Sequence, residues 1–323
     1  MTGRAGPAPQ RCVSARQQHR PRGDTLVNAV PELTHRTPRK TTPPPAVFHP
    51  GKTLARLREH PPGPVHIIDP FKIPQHEAVE KAAALDALGF PAILLASTDY
   101  TAFEDRMEPY LAAIKQVTSL PLLLHFPPRK GIGFPLVAGA DAVVLPALLG
   151  STDDYYVWKS YLETLLALPV RLDREDWPEL LLTVALTFGE DHKTGDLLGT
   201  VPVNTENIED TENTEDSRGA RGPAGGNRLD THIAVARDFG FHLVYLYSRY
   251  DRVPLDVIRR FRAGLRPGQI LFVSGNVHRR EQVDDYLAAG ADCVGFAGAL
   301  EHPDWRTTLK ELADPGRRRE ESR

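Results

Sequence analysis

Side chains able to do chemistry recur in this sequence at one kind of place, immediately after short apolar runs. Asp69 closes the run that starts at Val65, and Lys72 follows three residues later. Ser97, Thr98 and Asp99 come directly after Ala92–Ala96, and His125 lies near the end of Leu122–Phe126. Tyr245, Tyr247, Ser248 and Arg249 end or follow His242–Tyr247. Ser274, Gly275 and Asn276 end Ile270–Gly275, and Gly298 and Ala299 follow Asp292–Ala297. Asp69 with Ser97 and Asp99 offers hard oxygen donors. Such donors suit Mg²⁺, which binds through one or two carboxylates and completes its shell with substrate phosphates. Lys72 adds a cation for an anionic oxygen. Asp69 also reads as a turn residue ahead of Pro70, but Ser97 and Asp99 after the neighbouring run favour the metal. The small, glycine-containing ends of the last two runs suit a phosphate held by backbone N–H groups. There Gly275 and Gly298 let the main chain approach the anion, and Asn276 offers a side-chain donor. Ordinary turns would use the same residues.

Other chemistries find less support. His66, His125, His242 and His278 sit on different elements without an i,i+4 pair, which disfavours a mononuclear zinc site. No G-x-S-x-G elbow occurs, and Cys293 lies inside an apolar run, where a thiol is inert. Tyr155, Tyr156 and Trp158 share one expected helix and read as packing, in the core or between copies; Trp177 and Trp305 read as packing too.

The elements that must position these residues are legible from the period of the pattern. The remaining apolar runs are Ala142–Pro146, which leads to Leu149-Gly150-Ser151, and Leu180–Leu186. Continuous apolar runs of this length fit strands buried on both faces, as in parallel sheets. Helical stretches are expected over His76–Leu88, Thr101–Val117, Asp153–Leu168, Leu229–Phe239, Leu255–Ala263 and Arg279–Ala289. The third connection, Pro127–Ala140, is short and rich in Gly and Pro, so its helix is expected to be missing or vestigial. Gly89, Gly240 and Gly290 stop three of the helices. Eight strands alternating with helices over roughly 250 residues have the rhythm of a (β/α)₈ TIM barrel, whose active site lies at the C-terminal strand ends. A doubly wound sheet would advertise a Gly-rich turn after its first strand, where this chain has Phe71-Lys72-Ile73-Pro74.

The whole chain agrees with one barrel. Its 323 residues are 41% hydrophobic and 25% charged, enough for a substantial core. Residues 1–50, rich in Pro, Arg and Thr, have too little apolar surface to offset their ordering entropy and are expected to be a disordered tail. Residues 51–314 form the barrel, interrupted by a polar, Gly-rich flexible insertion over 204–228, and 315–323 form a second tail. A net charge of −3 argues against a nucleic-acid partner. Two distant cysteines point to a reducing, cytoplasmic setting. No run reaches the roughly 18–20 apolar residues that span a bilayer, and the N-terminus lacks the apolar core of a secretory signal.

The strings themselves are similar to a known family. His66-Ile67-Ile68-Asp69-Pro70-Phe71-Lys72 resembles the first-strand motif of the geranylgeranylglyceryl- and heptaprenylglyceryl-phosphate synthases. GFPAILLASTDY, GADAVVLPALLGS and GADCVGFAGALE resemble their second, fourth and eighth strand segments, in order, from Val65 to about Glu301. LARLREH, LLASTDY, FVSGNV and PDWR are similar to a branch that serves moenomycin-type phosphoglycolipid antibiotic biosynthesis, which attaches farnesyl to 3-phosphoglycerate as an ether. The resemblance implies an isoprenoid diphosphate and a glycerate phosphate as substrates, Mg²⁺ on Asp69 helped by Ser97 and Thr98, and a homodimer. The family's sixth strand ends in Tyr-Leu-Glu; here Tyr247 replaces the glutamate and Arg249 stands where a glycine would be. Tyrosine and arginine suit an acidic acceptor that a carboxylate would repel. With that glutamate absent, Tyr247, His125 or the departing diphosphate is the base. An apolar groove for the farnesyl chain would draw on Phe126, Phe134, Leu148, Leu149 and Trp158. The alternatives are a glycerol-1-phosphate prenyltransferase, a phosphate-binding barrel without an isoprenoid groove, and an inactive scaffold.

Overall fold

The computed structural model describes residues 51–97, 104–127, 130, 137, 139–167, 178–189, 203 and 228–314. The chain divides into two units, Met1–Val47 and Phe48–Arg323, of which the first lies outside the described residues. The expected tails lie outside them too, as does the expected insertion except Arg228, which opens a helix.

Eight parallel strands close into a barrel in chain order. They are β1 (Gly63–Ile68), β2 (Ile93–Ala96), β3 (Leu122–His125), β4 (Ala142–Leu148), β5 (Glu179–Phe188), β6 (Leu243–Ser248), β7 (Ile270–Ser274) and β8 (Cys293–Phe296), with β8 pairing back onto β1. All eight expected apolar runs are strands, and the fold is the (β/α)₈ barrel. The described helices are α1 (Lys52–Glu59), α2 (Gln75–Ala87), α3 (Glu104–Lys115), α4 (Ser160–Ala167), α5 (Arg228–Asp238), α6 (Leu255–Gly264), α7 (Arg280–Ala288) and α8 (Trp305–Ala313). A π turn, Tyr155–Lys159, leads into α4, and a 3₁₀ turn, Gly298–Leu300, follows β8. Most of the third connection lies outside the described residues.

Side chains on a strand alternate between two faces, and each face has its own core. Val65, Leu94, Val144, Leu181, Tyr245 and Phe272 belong to the cluster that fills the lumen. Ile68, Leu95, Val143, Leu246 and Val273 belong to the larger cluster beneath the helices. This two-sided burial is why the strands read as unbroken apolar runs. Lumen space is tight at Gly295, where a Cβ would lie 2.7 Å from Ser274 Cβ and 2.9 Å from Ile67 Cδ1.

Helix α1 was not among the expected helices. Its buried Leu54 and Leu57, three residues apart, join the lumen cluster and close the barrel at its N-terminal end. The first turn is anchored from β5: the Glu179 carboxylate accepts the N–H groups of Gly51 (2.6 Å), Thr53 (2.9 Å) and Leu54 (3.3 Å). A negative charge there meets both the unpaired amides and the positive end of the helix dipole. At the same end of the barrel, Asp141 accepts the Leu122 N–H at 2.6 Å and pairs with Lys115. Asp292 repeats the arrangement, accepting the Leu271 N–H at 2.7 Å and pairing with Arg262 at 2.9 Å. The two Gly-Ala-Asp strings ahead of β4 and β8 are therefore structural.

Candidate active site

A cavity of about 190 Å³ opens at the C-terminal mouth of the barrel. Asp69, Lys72, Ser97, His125, Tyr245, Tyr247 and Arg249, all expected site residues, line it together. Thr98 and Asp99 fall outside the described residues. Ser248, Ser274, Gly275, Asn276, Gly298 and Ala299 are absent from the lining.

Asp69 is a turn residue, and it also lines the cavity. As a turn residue, its backbone carbonyl accepts the N–H groups of Lys72 (3.1 Å) and Ile73 (2.8 Å), and its Oδ1 accepts that of Phe71 (2.9 Å). Its Oδ2 accepts the Ser97 hydroxyl at 3.1 Å, with Lys72 Nζ 3.9 Å away. The tight turn after β1 thus fixes one carboxylate oxygen and leaves the other among cavity groups. A single carboxylate beside a serine hydroxyl fits Mg²⁺ that draws its other ligands from phosphate and water. Among the described residues, no group of three or more His, Cys, Asp or Glu side chains could hold a metal alone.

Across the lumen stand aromatic and basic groups. Tyr245 and Tyr247 point inward from β6, their rings stacked 6.2 Å apart. The Tyr245 hydroxyl shares a 2.6 Å hydrogen bond with Ser274 Oγ, and burial pushes its phenol up to about 12. It therefore stays protonated, and Ser274 serves as its partner. His125 meets the Tyr245 ring edge-on at 4.9 Å. Burial lowers its imidazole to about 4, so it is neutral near pH 7. Arg249 lies just past β6, within 5.9 Å of the Tyr250 ring. Apart from Thr187 and Glu301, the remaining walls are apolar, from Ile67, Ala96, Pro127, Leu148, Ala185, Leu186 and Ala297.

The ends of β7 and β8 have structural duties of their own. Gly275 takes φ +113°, and a Cβ there would lie 1.5 Å from the Ser248 carbonyl oxygen. Its missing side chain makes room for the neighbouring strand end. Asn276, at φ 50°, donates its amide to the Tyr250 carbonyl at 2.5 Å, and its Oδ1 lies 3.0 Å from His278 Nε2. Beneath the 3₁₀ turn that holds Gly298 and Ala299, fully buried Lys81 donates to the Leu300 carbonyl (2.8 Å) and to Glu77 (2.6 Å).

Two polar cavity residues escaped the sequence reading. Thr187 was missed because β5 was expected to stop at Leu186; the strand runs to Phe188 and carries Thr187 to the mouth. The inward series Leu181, Thr183, Ala185, Thr187 held the signal, since its last member is polar at a strand end. Glu301 follows the 3₁₀ turn and lines both this cavity and a neighbouring recess with His76, Glu77, Glu80 and Trp305. Trp158 and Leu149 do not line the cavity. Leu148 does, whereas Phe126 faces the helices and Phe134 lies outside the described residues.

No protein-family model matches the chain. It is 24% identical over 254 residues to the geranylgeranylglyceryl phosphate synthase of Caldivirga maquilingensis, covering 77% of this chain and 84% of that one. Among solved structures, it superposes on the (S)-3-O-geranylgeranylglyceryl phosphate synthase of Thermoplasma acidophilum in complex with sn-glycerol-1-phosphate. The TM-score is 0.62 at 19% identity, over 81% of this chain and 95% of that one. The wild-type GGGPS of Thermoplasma volcanium gives 0.63 at 18% identity, over 81% and 96%. In sequence and in fold, this chain is similar to the geranylgeranylglyceryl phosphate synthases, and it shares their (β/α)₈ barrel.

Proposed function

We propose that this protein is a prenyltransferase that transfers farnesyl from farnesyl diphosphate to the 2-hydroxyl of 3-phosphoglycerate, forming an ether and releasing diphosphate. The observation that carries the reading is the division of the cavity. Asp69, Lys72 and Ser97 stand on one side, Tyr247 and Arg249 on the other, and the rest of the lining is mostly apolar, with His125, Thr187 and Glu301 among it. The first group suits a diphosphate, the second an acidic acceptor, the walls an isoprenoid chain. The named relatives support the general class, a phosphorylated three-carbon acceptor and a prenyl donor.

Asp69 and Ser97 would hold Mg²⁺, which when bound neutralises charge on the diphosphate oxygens. Lys72 neutralises further charge as the allylic C1–O bond breaks and its electron pair passes to the leaving diphosphate. Arg249 and Tyr247 position the acceptor so that its hydroxyl oxygen attacks C1. The hydroxyl proton goes to the departing diphosphate, which gains charge in the same step; His125, held at about 4, binds a proton weakly. The acceptor phosphate would reach past the cavity lining to the loops after β7 and β8, at the backbone of Gly275, Asn276, Gly298 and Ala299. The assembly we propose is a homodimer.

The test is a pair of incubations with farnesyl diphosphate and Mg²⁺, one with 3-phosphoglycerate and one with glycerol-1-phosphate, read by mass spectrometry. A farnesyl-phosphoglycerate ion in the first alone is expected. Product in the second alone would make the protein a glycerol-1-phosphate prenyltransferase, the reading that the relatives' names favour, and would overturn the roles given to Tyr247 and Arg249.

A further inference from the structure

Thr187 poses a question that the fold does not answer. It is 8% exposed, and its Oγ1 is buried without a protein hydrogen-bond partner among the described residues. Two other hydroxyls of the cavity have partners within the fold: Ser97 bonds Asp69 and Tyr245 bonds Ser274. The Thr187 main chain is satisfied: its carbonyl accepts the Val203 N–H at 2.9 Å and its strand pairs with β6. Only the side-chain oxygen is left over. A valine would fill the same volume without a buried polar atom, so an unpaired hydroxyl here is a net cost to folding. Buried polar groups of this kind in a cavity wall are met by a ligand.

The position narrows the ligand. Thr187 is the strand partner of Tyr247, and Arg249 lies two residues farther along the same edge. The Asp69–Lys72–Ser97 group belongs to β1 and β2, which stand opposite β5 in the closed order. A hydrocarbon chain cannot satisfy a hydroxyl, and the diphosphate is assigned across the lumen. We infer that Thr187 determines acceptor specificity, its hydroxyl donating to a carboxylate oxygen of the phosphorylated three-carbon acceptor beside Tyr247 and Arg249. The inference rests on the function proposed above and adds to it the strand and atom that recognise the acceptor.

The experiment compares wild type, Thr187→Val and Thr187→Ser by steady-state kinetics and thermal melting. Thr187→Val is expected to raise KM for 3-phosphoglycerate by about tenfold to a hundredfold, the scale of a lost hydrogen bond to a charged group, while KM for farnesyl diphosphate stays within about threefold. Thr187→Ser restores acceptor KM. Thr187→Val melts at or above the wild-type temperature, because it removes an unpaired polar atom. An unchanged acceptor KM, an equal rise in both KM values, or a lowered melting temperature overturns the inference. If wild type itself gives no farnesyl-phosphoglycerate, the proposed function fails and takes this inference with it; an active wild type with an indifferent Thr187→Val defeats the inference alone.

Discussion

Arg249 is the residue on which the proposed acceptor choice turns, since it brings a guanidinium to the cavity edge beside Tyr247. Arg249→Ala is expected to cut the preference for 3-phosphoglycerate over glycerol-1-phosphate by about tenfold to a hundredfold in competition assays. Equal use of both acceptors by wild type and variant would remove it from the site. At Gly275 the constraint is steric: a methyl group would meet the Ser248 carbonyl in a backbone conformation that L residues rarely adopt. Gly275→Ala should lower stability by about 2–3 kcal/mol or more, read by denaturant unfolding. Two histidines set a pH dependence. Burial holds His125 at about 4 and His66 at about 3, whereas both titrate near 6.5 when unfolded. Between those values the unfolded chain binds protons that the folded chain does not. Stability is therefore complete above about pH 6.5 and falls as pH drops, by about 2 kcal/mol per histidine at pH 5. His125→Gln should flatten the decline; a decline as steep as wild type would show that His125 is not its source. At this scale the sequence showed residue types and strand-end positions but not partners. Asp69 was legible, whereas the engagement of Ser274 with Tyr245 and of Asn276 with Tyr250 depends on strands and loops meeting across the barrel.

Element by element, the strands were the most legible part, because burial on both faces leaves continuous apolar runs. The lapses were at edges. Strand β5 outran its expected end because Thr187 and Phe188 pair with Tyr247 and Ser248 of β6, a cooperation between strands that no local run encodes. Helix α1 went unread because it is only eight residues long and its N-terminus is capped by Glu179, more than a hundred residues away, rather than by a local side chain. Glu179→Ala should therefore cost about 1–2 kcal/mol in urea unfolding, the usual scale of a lost cap. Loss of less than about a tenth of that range would mean that Leu54 and Leu57 alone hold the helix in place. The expected helix with Tyr155, Tyr156 and Trp158 divides similarly. The first two are buried, as the core reading has it, while Trp158 is 39% exposed.

For the whole molecule, the proposed homodimer has a surface to test. Trp158, Leu162 and Phe239 are 39%, 52% and 64% exposed, and the rings of Trp158 and Phe239 lie 5.8 Å apart. Exposed apolar groups that touch one another mark an association surface more often than scattered ones do. Phe239→Asp should shift the protein from dimer to monomer in sedimentation velocity without unfolding the barrel; a wild type that sediments as a monomer would end the dimer proposal. No described helix is long and apolar enough to cross a membrane. What the sequence determined by itself was the period and order of the elements, and hence the barrel and the rim on which its chemistry falls. Burial on two faces writes itself into consecutive residues, and strand order follows chain order. The tertiary structure decided the rest: which strand-end oxygens are already spent on the fold, which side chains share one cavity, and that β5 contributes Thr187. Those are contacts between residues far apart in the chain, and they exist only once the barrel has closed.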